Sequence, residues 1–148
     1  MKSILYERLD GGLSIVHPVY GNKSDKETEQ AFLERVRAKD VPADASNVRV
    51  VDRATIPLDR TFRNAWTHNL TVDMAKAREI HRNKLRDMRA PKLVALDLEY
   101  MRADERGDTL EKQRIAARKQ ELRDVTADPA IEAARTPEEL KIVIPISL

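Results

Sequence analysis

Residues 73–125 read DMAKAREIHRNKLRDMRAPKLVALDLEYMRADERGDTLEKQRIAARKQELRDV, and this stretch decides the fold. Asp73 is a good N-cap for a helix from Met74 to about Ala90. Ala77, Ile80, His81, Lys84, Leu85 and Met88 fall on one stripe at helical spacing. Pro91 has no amide proton and disfavours helical geometry at Ala90, so a kink or break is expected there. Residues 92–106 then continue as helix, with Leu93, Leu96, Tyr100 and Met101 as the expected buried set. Gly107 is a helix stop of the C′ type, and Asp108 with Glu111 forms a capping box for the next helix, to about Val125. So short a connection predicts an antiparallel hairpin of helices.

Upstream, residues 3–6 and 13–19 read as short strands joined by Asp10-Gly11-Gly12, a strong turn signal. Ser24 and Glu27 suggest a capping box opening a helix to about Lys39, buried through Phe32, Leu33 and Val36. Asn47–Val51 is the third strand. Asp59 can cap a short helix through Trp66, which places Phe62 and Trp66 on one face as a hydrophobic plug between modules. Downstream, Asp128-Pro129 and Thr136-Pro137 each open a short helical turn. Ile142, Ile144 and Ile146 then alternate as in a half-buried strand, with Pro145 making it an edge strand or an arm that docks elsewhere. The expectation is an α+β protein, with a small N-terminal β-β-α-β module (1–58) followed by a helical hairpin and a short C-terminal strand (59–148).

Composition narrows the function classes. The chain has 148 residues, 41% hydrophobic and 35% charged, so aliphatic stripes must share helices with salt-bridged outer faces. With no cysteine, thiol catalysis, disulfides and cysteine-rich zinc sites are excluded. The N-terminus lacks a signal-peptide core, and no run approaches the ~20 apolar residues of a membrane span. A soluble protein made in the cytoplasm is expected.

The three histidines, His17, His68 and His81, have no metal-ligand spacing, and no phosphate-cradling or nucleophile motif occurs. Neighbouring acids such as Asp97 and Glu99 diverge on a helix, so no carboxylate pair converges on one substrate. No enzyme, cofactor or metal site is expected.

Arg78, Arg82, Arg86 and Arg89 recur at helical spacing and form a basic stripe that could track phosphates. Glu79 and Asp87 interrupt it, and no aromatic residue interleaves for base stacking, so nucleic acid is the weaker reading. Protein binding suits the residues better, through Phe62, Arg63, Trp66 and Tyr100 as anchors, Arg78, Arg82 and Arg86 as charged contacts, and Ile142, Ile144 and Ile146 as an addable strand. Association into a homo-oligomer uses the same chemistry.

The order of Arg78–Arg86, Asp97–Glu105, Leu122-Arg123-Asp124-Val125-Thr126 and Leu140–Pro145 resembles small tail-associated proteins of tailed phages and prophages, among them tail assembly chaperones. That resemblance covers about Asp59 to Pro145. It implies binding to a tail or tail-fibre polypeptide, in the bacterial cytoplasm during assembly or in the finished virion tail. It carries over no catalytic residue.

Overall fold

A computed structural model describes all residues, Met1–Leu148, as two compact units, Met1–Asp73 and Met74–Leu148. The first is mixed α+β and the second wholly helical. The division falls after Asp73 rather than after residue 58, because the segment around Trp66 packs into the sheet unit.

In the sheet unit, β1 (Lys2–Glu7) lies between β2 (Leu13–Val16) and β3 (Ser46–Asp52), antiparallel to both. Ile4 stands opposite Val16 and Val50, which fixes which face each side chain takes. The β1–β2 turn uses Gly11 at φ +74°, while Asp10 Oδ1 accepts the Gly12 amide at 2.8 Å. The helix α1 (Glu29–Asp40) covers one face, packing Phe32, Leu33 and Val36 against Ile4, Val16 and Val48. It starts five residues after Ser24: Thr28 is the N-cap, its Oγ1 accepting the Ala31 amide at 3.1 Å. Ser24 and Glu27 instead close a preceding turn, with Glu27 committed to Arg35 at 2.9 Å.

The opposite face carries Leu5, Leu13, Ile15 and Val51 and is covered by Ile56, Trp66, Leu70 and Val72. Trp66 therefore belongs to this core rather than to a joint between modules. It also forms an antiparallel bridge with Val72. Burying an aromatic side chain of that size removes roughly 200 Å² from water, worth on the order of 5 kcal/mol before entropy. The expected helix over 59–66 shrinks to a single 3₁₀ turn, Arg63–Ala65, because the Asp59 carboxylate takes both the amide and the hydroxyl of Thr61.

In the helical unit, α2 (Met74–Glu105) is one helix of 32 residues and runs through Pro91 without interruption. Proline deletes a single hydrogen bond, and packing on both sides of it outweighs that loss. After Gly107 (φ +67°), Asp108 caps α3 (Thr109–Asp124) by accepting the Glu111 amide at 3.0 Å. Asp104–Lys112 (2.7 Å) and Asp97–Lys119 ion pairs join the two helices, so α3 returns antiparallel to α2. Leu96, Ala103, Ile115 and Leu122 form their shared core. Tyr100 and Met101, expected inside, are exposed, because the face toward α3 is set by Leu96 and Ala103 seven residues apart.

Two short helices follow, α4 (Pro129–Ala133) and α5 (Pro137–Lys141), capped by Asp128 and Thr136. Ile131 and Leu140 are fully buried. The expected C-terminal strand does not form. The amides of Val143, Ile144 and Leu148 close local turns onto Leu140, Ile142 and Pro145, and the unit contains no strand to pair with.

Candidate functional site

The arginine stripe of α2 is used inside the fold. Arg78 donates to the carbonyls of Ile131 (3.2 Å), Glu132 (3.3 Å) and Ala134 (2.9 Å). Arg82 donates to Thr126 O at 3.3 Å and pairs with Glu132. Arg89 reaches the carbonyls of Leu122 and Arg123 at the end of α3. The last carbonyls of a helix have no partner within it and carry partial negative charge, so guanidinium groups are well matched to them. Positions 78, 82 and 89 thus act as a comb that caps the ends of α3 and α4.

Arg86 turns instead along its own helix to Glu79 (2.7 Å) and Asn83. The Arg86 hydrogen bond, with Arg82 nearby, holds the Glu79 carboxyl below its ordinary pKa. Arginines that cap backbone or pair with Glu79 and Glu132 are not a free phosphate-tracking surface. His81 is likewise structural: it is buried, and its Nε2 lies 2.8 Å from Val143 O.

The other sequence-predicted contacts divide. Phe62 and Trp66 are buried in the sheet unit and present no anchor outward. Arg63 is exposed in that unit. Tyr100 is partly exposed, with Lys119 Nζ 5.6 Å from its ring centroid. Ile142, Ile144 and Ile146 are exposed, by 79%, 54% and essentially completely. They offer apolar side chains, though on a turn rather than a strand.

The sequence pattern left Val94, Leu98 and Leu110 unassigned and placed Met101 inside, whereas all four are exposed large hydrophobics. Val94, Leu98 and Met101 are spaced i, i+4, i+7 and share one face of α2, away from Leu96 and Ala103. Residues 93–103 therefore carry two apolar stripes, one packed on α3 and one open. The spacing is visible in the sequence, but a single buried stripe had absorbed Met101.

Beside the packed stripe, α2, α3 and the C-terminal turn enclose a groove of about 990 Å³. Leu96 and Leu122 supply its apolar floor, Arg118 and Glu121 its charged rim, and Ile144 and Ile146 its edge. Leu148 packs on the α2–α3 core, and Lys92 Nζ donates to its carbonyl. No group of three His, Asp or Glu side chains could hold a metal ion, and no helix is long and apolar enough to cross a membrane. What the unit offers chemically is aliphatic contact area rimmed by charge. Compared with protein-family models, curated proteins and solved structures, the chain shows no match.

Proposed function

We propose that this chain binds another polypeptide through its helical unit, as an assembly chaperone for a phage tail or tail-fibre protein. The observation that carries the reading is the pair of exposed aliphatic sets, Val94/Leu98/Met101 on α2 and Ile142/Ile144/Ile146 after α5. In a chain where 35% of residues are charged, exposed aliphatics in series mark a contact surface. The tail protein as partner rests on the resemblance of Arg78–Arg86, Asp97–Glu105, 122–126 and Leu140–Pro145 to small tail-associated proteins. Masking follows from the chemistry: aliphatic side chains cover an apolar segment of the partner until it assembles. The nucleic-acid alternative loses its main support, since Arg78, Arg82 and Arg89 already bond to backbone carbonyls.

The test is co-expression with the tail and tail-fibre polypeptides of the same genome. The unaltered chain should hold one of them in the soluble fraction, and V94D/L98D and a chain ending at Lys141 should each release it. Capture by both altered chains equal to that by the unaltered one, or no capture by the unaltered one, refutes the reading. Presence in purified virions at fixed copy number reassigns the chain to a structural adaptor with the same contacts.

A further inference from the structure

A second feature lies in the sheet unit and does not depend on the helical unit's function. Between the β1–β2 hairpin and the 60–66 segment is a recess of about 220 Å³. Its polar lining is Arg8, Arg60, Arg63, His17, Tyr6 and Ser14, with no carboxylate among the lining residues. Arg8 is committed to Asp10 at 3.1 and 3.2 Å and to Ser14 at 3.2 Å. Asp10 is thereby used up, and its carboxyl is held below the ordinary value by the Arg8 hydrogen bond first and the Gly12 amide second. Arg60 and Arg63 are both exposed side chains on the rim of the recess, and the Asp59 carboxylate beside Arg60 accepts from the amide and the hydroxyl of Thr61.

Two arginines with five N–H donors each thus line one small recess that no carboxylate residue lines. The positive field of Arg60 reaches His17, whose pKa is lowered by burial first and then by Arg53 and Arg60. Ser3 Oγ lies 2.9 Å from His17 Nδ1. When Ser3 donates, the neutral ring carries its hydrogen on Nε2 and adds a donor without adding charge. Leu13, Ile15 and Trp66 supply an apolar wall beside these groups.

We infer that this recess is a binding site for a small phosphate monoester. Guanidinium groups match phosphate oxygens in bidentate, charge-assisted geometry. Arg60, Arg63, Ser14 and Tyr6 together offer more donors than the two oxygens of a carboxylate can satisfy, whereas a phosphate dianion brings three oxygens and a second charge. The Trp66 wall suits the organic remainder of a monoester, while free inorganic phosphate shares the anionic chemistry.

Trp66 is the sole tryptophan, so its fluorescence reports the site directly. The full chain is titrated with inorganic phosphate and with phenyl phosphate, ionic strength being held constant with chloride. A saturable change is expected, weakened about tenfold or more in R60Q/R63Q through loss of charge-assisted bonds. Equal affinity for both ligands identifies the free anion, and about tenfold tighter phenyl phosphate identifies a monoester. No saturation by about 10 mM of either ligand overturns the inference, as does an unchanged midpoint in the double variant. If R60Q/R63Q folds poorly, the Nε–H signals of Arg60 and Arg63 in the unaltered chain decide by nuclear magnetic resonance. Signals that stay fixed on adding phenyl phosphate overturn it equally.

Discussion

Replacing Arg78 by alanine separates a capping role for the α2 arginines from a surface role. Its guanidinium makes three hydrogen bonds to backbone carbonyls, at 3.2, 3.3 and 2.9 Å, and its side chain is only 22% exposed. A hydrogen bond from a charged donor contributes about 1.5–3 kcal/mol in mutational series. Three such bonds on one side chain do not add, and the exposed Glu132 carbonyl regains water after truncation. A net loss of about 2–3 kcal/mol is expected, close to the worth of one well-buried charged bond. With a urea slope near 2 kcal/mol per molar, the unfolding midpoint followed by far-ultraviolet circular dichroism falls by roughly 1 M. Arg78→Lys keeps the charge but loses the fork, and should recover about half of that loss. Glu132→Ala removes the ion-pair partner of both Arg78 (3.7 Å) and Arg82, but its side chain is 63% exposed, and the change should cost under about 1 kcal/mol. Retention of Arg78→Ala on DNA at low salt should match that of the unaltered chain. A midpoint shift under about 0.2 M combined with weaker DNA retention would refute the capping argument and restore the stripe as a nucleic-acid surface.

Two further outcomes follow from burial and charge. Leu140→Ala should destabilise by about 2–5 kcal/mol, because that side chain is fully buried, whereas Ile146→Ala should change stability by less than about 0.5 kcal/mol; parallel urea melts compare them. His17 should titrate below the ordinary histidine value of about 6.5, since burial and then Arg53 and Arg60 disfavour its charged form. The unfolded chain then binds the proton more readily than the folded one. Stability attributable to His17 is full above about pH 6.5 and is lost as pH falls toward the lower folded value. Proton resonances of the His17 ring across pH 4–8 check the direction, and Arg60→Gln should move that titration upward.

Local chemistry was legible where one residue type answers one backbone need. Gly11 and Gly107 take positive φ, Asp108, Asp128 and Thr136 cap helices, and Phe32, Leu33 and Val36 form the inner stripe of α1. The same kind of signal misled where two answers lay close together. Ser24 and Thr28 both suit an N-cap, and Thr28 wins because Glu27 is drawn to Arg35. Helical periodicity placed Tyr100 and Met101 inside, since spacing shows that residues share a face but not which face meets a neighbour.

By itself, then, the sequence determined a mixed α+β chain: a hairpin and helix ahead of a long helical pair, and no sulfur chemistry or metal-ligand spacing. These follow from turns, caps and composition, which act over a few residues. Only tertiary structure decided what the long-range groups do. It sent Arg78, Arg82 and Arg89 to carbonyls more than thirty residues away, moved Trp66 into the sheet core, and denied Ile142–Ile146 a strand partner. It also brought Arg60 and Arg63 to one recess that no acidic residue lines. The physical reason is the same in each case: a side chain's partner is set by where the remaining elements pack, and no local pattern encodes that distance.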